Sequence, residues 1–265
     1  MIDWSDTGEC HEHDGVHRTS GRVYKVTYEC GKKSARAFTK PACLAGTGTL
    51  PRLWKDYQEG RTTHHGLRGL LSDPDEHVRV WAIRLLSDHW PLDTFQGPLK
   101  DVTYPDEPET LSAFTQLASR DSSGLVLLTL ASTLQRLPVA SRAPLAAELL
   151  QRAEFSDDRD LPAMIWFGLM PLAESRTEEL VGLCKQSKYP QTLRWMTRAV
   201  ASQAEQKPEC LESLLASASE MPTEMQTSVL LGMAEAFKGW RQISMPRSWS
   251  KLAATRAAAD HPEVT

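Results

Sequence analysis

The chain has 265 residues, 41% hydrophobic and 24% charged, with a net charge of −4 and a pI near 6.1. That balance points to a folded globular chain with room for two small domains or one elongated one, and it excludes disorder. With no block of Lys and Arg there is no electrostatic footprint for phosphate, which excludes DNA and RNA as partners.

The first residues hold most of the ligand-grade side chains. Asp3, Asp6, Glu9, Cys10, His11, Glu12, His13, Asp14 and His17 fall within fifteen positions. Thr7-Gly8-Glu9-Cys10-His11 is a CxxCH haem-attachment motif with its first cysteine replaced by threonine, so the two thioethers of c-type attachment cannot both form. His11, His13, Asp14 and His17 are metal-donor types, and a metal-dependent enzyme is one functional class they allow. Gly15 and the strand that follows favour turn geometry, in which four ligands meet only through a specific fold-back. A polar loop of hydrogen-bonded His and Asp is the simpler alternative. No nucleophile, base and orienter can be read from the stretch, and no metal site is assigned.

Arg22 to Tyr28 is β-branched and aromatic, with Tyr24, Val26 and Tyr28 on one face, and reads as a strand. A lone strand must stay solvated or borrow a partner, for which Ala37 to Thr39 is the candidate. Residues 31–60, rich in Gly, Thr, Lys and Pro, read as a linker, and residues 61–265 as helices. A stripe at i, i+3, i+4, i+7 recurs as Val78, Trp81, Ala82, Leu85, then Leu127, Leu130, Ala131, Leu134, then Leu161, Met164, Ile165, Gly168. It returns as Leu193, Met196, Thr197, Val200 and as Met225, Ser228, Val229, Met233.

Leu161, Leu193 and Met225 are 32 residues apart, with Pro190 and Pro222 each three before the anchor. Proline suits a first helical turn, where its missing N–H has no partner in any case. Partner helices fall at Leu111 to Ser119, Ala143 to Arg152, Thr177 to Lys185 and Glu209 to Ala218. Helix pairs at this period predict an all-α chain, an α-solenoid of antiparallel pairs that bury their apolar faces by stacking. A Pro-rich loop, Trp90 to Glu109, stretches the first step. His64 and His65 are neighbours on a helix and point apart. Trp81, Trp166 and Trp195 recur near the anchors, as core packing or as the lining of a concave binding face. Of the five cysteines, without any CxxC, Cys184 and Cys210 sit on apolar helices and read as buried hydrophobes.

Leu70-Leu71-Ser72-Asp73-Pro74-Asp75-Glu76-His77-Val78-Arg79 resembles a HEAT-repeat junction, with the aspartates placed to cap the inner helix. Asp260-His261-Pro262-Glu263-Val264 restarts the same wording, as though the repeat continues past the last residue. Residues 3–28, from Trp4-Ser5-Asp6-Thr7-Gly8-Glu9-Cys10-His11-Glu12 through Asp14-Gly15-Val16-His17-Arg18 to Ser20-Gly21-Arg22-Val23-Tyr24-Lys25-Val26, resemble the closing segment of a β-propeller. The family is that of the large multidomain membrane-bound dehydrogenases of planctomycetes and verrucomicrobia. In it a sorbosone-dehydrogenase-like propeller is followed by HEAT-like helices and a c-type haem domain.

The resemblance implies that residues 1–30 are the terminal loop and strand of an incomplete propeller, with Asp6, His11, Asp14, His17 and Arg18 near the channel mouth and no catalytic role assigned to them. It implies a non-catalytic scaffold, truncated at the C-terminus, that links the propeller dehydrogenase domain to a cytochrome c-type domain. Those domains, in the same or a partner chain, are the implied partners. No cofactor belongs to this segment, and c-type haem is expected only in a C-terminal domain that it lacks. The location is then periplasmic or cell-envelope, or cytoplasmic if Met1 is the true start; no segment approaches the ~18 apolar residues of a membrane span. An independent solenoid that binds a protein or peptide is the alternative function.

If the N-terminal loop is structural, His13→Ala with His17→Ala leaves the thermal unfolding curve nearly unchanged, and the purified chain holds no stoichiometric zinc, copper or iron. One tightly held ion per chain, lost in the double variant, is the outcome that makes the loop a metal site.

Overall fold

The computed structural model describes residues 2–3, 22–23, 48–94, 97–98 and 107–257. Two units divide the chain, Met1–Gly46 and Thr47–Thr265. In the first, β1 (Ile2–Asp3) pairs antiparallel with β2 (Arg22–Val23), Ile2 opposite Val23 and Asp3 opposite Arg22. The expectation of a strand without a partner is corrected for these two residues: Arg22 and Val23 pair with the first residues of the chain. The continuation to Tyr28 and the candidate partner at Ala37 to Thr39 lie outside the described residues.

The second unit is helical. Its elements are α1 (Thr49–Gln58), α2 (His64–Gly69), α3 (Glu76–Leu86), α4 (Glu107–Arg120), α5 (Gly124–Thr133), α6 (Arg142–Leu150), α7 (Leu161–Leu169), α8 (Leu172–Ser175), α9 (Thr177–Gln186), α10 (Pro190–Ser202), α11 (Pro208–Ala218), α12 (Thr223–Ala236) and α13 (Trp249–Ala257). Helix therefore begins at Thr49, inside the stretch read as linker. Pro51 does not prevent this, because it lies in the first turn, where its missing N–H has no carbonyl to meet. Leu53 of α1 is buried, Trp54 stacks edge-on against Trp81 of α3 at 4.5 Å, and Tyr57 donates its hydroxyl to Asp88 at 2.7 Å.

The helices pack in two rows. One row runs α3, α5, α7, α10, α12 and the other α4, α6, α9, α11, α13, each helix touching the next in its own row, with α6 on α7 and α9 on α10 joining the rows. Apolar stripes explain the order. Val78, Leu85, Leu127, Leu134, Leu193 and Val229 are fully or almost fully buried between helices. Met164, expected among them, is only half-buried, packed against the rim of the core. Two contacts in the first row require glycine. A methyl on Gly168 of α7 would overlap the Leu134 side chain, and one on Gly232 of α12 would overlap the Arg194 carbonyl of α10. Pro190 is the first residue of α10, whereas Pro222 stands one residue before α12.

One turn device opens four helices of that row. Asp73 accepts from the Asp75 backbone N–H at 2.9 Å before α3, and Asp121 from the Ser123 N–H at 2.9 Å before α5. Asp158 accepts from the Asp160 N–H at 2.9 Å before α7, and the Ser187 hydroxyl from the Tyr189 N–H at 3.2 Å before α10. Each side chain mimics a backbone turn and redirects the chain into the next helix.

Arginines then tie one turn to the next. Arg79 holds Asp121 through Nε at 2.7 Å and Nη2 at 2.9 Å while donating to the Asp73 carbonyl at 2.9 Å. Arg152 donates to the carbonyls of Ala118 and Asp121, each at 2.6 Å, and so covers the C-terminal end of α4. Arg142, at 0% exposure, grips the two oxygens of Asp93 at 2.8 and 2.7 Å and donates to the carbonyls of Leu137 at 2.9 Å and Gly168 at 2.8 Å. Asp93 lies in the loop after α3, whose start is fixed by buried Trp90 and by a single bridge between Thr94 and Gly97. Removing one partner of such a buried pair strands the other charge, a loss of roughly 3–5 kcal/mol. Arg142→Ala is expected to lose that much in urea unfolding, and Asp93→Asn a comparable amount, since it leaves the buried Arg142 guanidinium without its counter-charge and turns an amide NH2 toward it. Small losses for both would show the pair to be incidental.

Candidate functional site

Asp6, His11, Asp14, His17 and Arg18, the residues expected near a propeller mouth, lie outside the described residues, as does His13. His64 and His65 are adjacent on α2, one half-buried and one exposed. The three tryptophans are all placed, and all are half-buried on the first row. Trp81 is occupied by packing: Trp54 meets one side and the Arg84 guanidinium lies over its ring at 4.8 Å. Trp81 stands three positions after Val78, Trp166 five after Leu161 and Trp195 two after Leu193. Trp166 packs against the core of its own unit.

The sequence stripes did not reveal the outward side of α7. The helix reads Leu-Pro-Ala-Met-Ile-Trp-Phe-Gly-Leu, with no charged residue, and a helix apolar all round is expected to be covered all round. Its inner side is covered: Leu161, Ile165 and Leu169 are buried. On its other side Phe167 is 48% exposed and Met170, just past its end, 49%. Scattered surface hydrophobics are ordinary, but two large ones beside half-buried Trp166 on one helix make a contiguous face. The signal was present in the sequence as the absence of any polar position from Leu161 to Leu172.

A second feature joins α9 and α11. Glu178, Glu209 and Cys210 bring ligand-type atoms within 4.8 Å of one another. The carboxylates stand in the first turns of α9 and α11, where free N–H groups and the positive helix end favour them without any cation. Burial raises the Cys210 thiol above its ordinary pKa, and Glu178 and Glu209 raise it further, so the thiol stays protonated at neutral pH. Cys184 of α9 is wholly buried, and desolvation pushes its thiol up much further. Both therefore behave as small core hydrophobes, with none of the thiolate character that nucleophilic chemistry needs. Two buried hydroxyls, of Tyr189 and Thr197, have no hydrogen-bond partner among the described residues.

Nearby lies an open groove of about 980 Å³ between the N-terminal end of α11 and the irregular segment Gln242 to Arg247. Glu212 of α11 accepts from the Ser248 N–H at 3.0 Å and the Ser248 hydroxyl at 2.5 Å, which ties the end of that segment to α11 just before α13. The bond to Ser248, with help from Arg247, holds the Glu212 carboxyl below its ordinary pKa.

The thiol electrostatics fix a pH dependence. A group whose pKa is raised by folding stabilises the fold below its unfolded pKa, here about 8.5, and that contribution is lost as pH rises beyond it. In the folded chain at pH 8, N-ethylmaleimide is expected to label Cys184 and Cys210 at least about tenfold more slowly than in urea, as mapped by peptide mass spectrometry. Rapid labelling of Cys210 in the folded state would contradict a protonated, buried thiol. No helix among the described residues is long and apolar enough to cross a membrane. No family model, curated protein or solved structure matches the chain.

Proposed function

We propose that the helical unit is a non-catalytic scaffold, a HEAT-like α-solenoid that docks other protein domains on its outward faces. The observation that carries this is α7, an uncharged helix on which Phe167, with Met170 just past its end, remains about half exposed although its inner side is buried. A stack of helix pairs joined through its core can hold partners at fixed spacing, because each pair is locked to its neighbours by packing and by the Arg79–Asp121 and Arg142–Asp93 pairs. The partners proposed are a sorbosone-dehydrogenase-like propeller domain and a cytochrome c-type domain, on the resemblance of residues 3–28 and the repeat style that follows. In that role the haem belongs to the partner and the chain sits in the periplasm or cell envelope.

The test is titration calorimetry of the purified chain with a separately purified propeller domain and a cytochrome c-type domain of that family. Micromolar binding to at least one is expected, weakened about tenfold or more by Phe167→Ser with Met170→Ser, a loss of roughly 1.4 kcal/mol or more. The double variant is expected to keep its thermal unfolding midpoint, since both side chains are half in water already. No binding to either domain at tens of micromolar would sink the scaffold between these domains. A dimer dissolved by the double variant would instead assign the α7 face to a second copy.

A further inference from the structure

The groove beside α11 has a chemistry of its own, independent of which domains the scaffold holds. One wall is the stretch from Ala204 to Glu212, the other Gln242 to Arg247. The second wall is held at both ends. Trp240 stacks edge-on against Phe237 at 5.4 Å, and Ser248 is bonded to Glu212. Between these anchors the segment belongs to no helix or strand, and the backbone groups of Gln242 to Met245 make no hydrogen bond among the described residues. Ile243 is 40% exposed and Met245 70%. Spaced by two, they fall on one side wherever the chain is extended.

Charge gives the groove a sign. Glu205, Glu209 and Glu212 line it, and Glu178 stands beside Glu209. Among the lining residues one cation, Arg247, stands against three carboxylates, while Lys207 and Arg241 flank the lining in the chain. Arg247 lies at the Glu212 end and acts on that carboxylate. Lys207 is turned away, donating to the Glu174 carbonyl at 3.2 Å and the Thr177 hydroxyl at 2.8 Å. Glu205 and Glu209 are exposed and face the open space.

We propose that this groove binds an extended segment of a partner protein in which Lys or Arg alternates with apolar residues. The segment's backbone would bond the free N–H and C=O groups of Gln242 to Met245, as an added strand does at an open edge. Its apolar side chains cover Ile243 and Met245, and its cations face Glu205 and Glu209. An acidic segment is repelled, and a purely basic one leaves the methionine and isoleucine wet.

The test is fluorescence anisotropy with three labelled eight-residue probes: Lys-Leu-Lys-Val-Arg-Leu-Lys-Val, the same peptide with Glu for each cation, and the same with Ser for each apolar residue. The first is expected to bind at least tenfold tighter than the other two, and to weaken severalfold when salt rises, as screening shortens the reach of the carboxylates. Glu205→Gln with Glu209→Gln, and separately Ile243→Ser with Met245→Ser, are each expected to cost about tenfold in affinity, while Phe167→Ser with Met170→Ser changes nothing. Thermal unfolding checks that the variants fold, and the charge pair decides alone if the apolar pair does not. Equal binding of all three probes, indifference to the charge pair, or a dimer that Met245→Ser dissolves overturns the proposal. Failure here leaves the α7 face untouched, because the two faces are read by different variants.

Discussion

A guanidinium without access to water has to find acceptors for its donors, and Arg142 organises the middle of the molecule by meeting that requirement. Its Nε and both terminal nitrogens reach Asp93, Leu137 and Gly168, which belong to the loop after α3, the turn after α5 and the end of α7. Without these bonds the chain at Asp93 would have no side-chain tie to the helices around it. The bidentate grip on Asp93, with the Asp93 N–H donating to the Gln135 carbonyl at 2.9 Å, makes the start of that loop part of the core instead. Such a pair adds little net stability over a well-packed apolar substitute, but it tolerates only one arrangement of the three segments around it.

The same economy recurs at smaller scale. Each Asp or Ser that opens a helix of the first row turns the chain, and at Asp121 two arginines from elsewhere read the turn: Arg79 holds its carboxylate and Arg152 its carbonyl. The helices then approach until only glycine fits, at Gly168 and Gly232. Close approach at α10 and α12 also leaves the Thr197 hydroxyl beneath Gly232 without a partner among the described residues, an acceptable loss where the two backbones pack this tightly.

Much of the helical layout was legible because burial writes a 3.6-residue period into the sequence. The stripes from Val78 to Met233 mark the first row and their spacing marks the turns between, and α4, α6, α9 and α11 fall where partner helices were expected. What was illegible was of two kinds. Local text misled at α1, where Gly48 and Pro51 read as linker although Leu53, Trp54 and Tyr57 carry a helical stripe that docks on α3. Long-range pairing could not be read at all: Arg142 and Asp93 are 49 positions apart, and nothing local links them. The α7 face was missed for a third reason. Periodicity identifies the side that is buried, and a helix apolar on every side has no contrast to reveal the side left open.

The two open faces belong to different rows. Phe167 and Met170 lie at α7 in the first, and the acidic groove lies at α11 in the second, linked through α10 of the first row packed on α9 of the second. A molecule with one apolar face and one acidic, backbone-rich groove on separate layers can engage two chemically different partners at once without either displacing the other. The stiffness of the stack then matters more than the strength of either contact. Two sites on one folded body present their partners to each other at a set separation, whereas a flexible link much longer than that span dilutes the effective concentration. Arg142 reaches the first of these faces directly, through the Gly168 carbonyl beside Phe167, so its loss would disturb the α7 face before the groove at α11.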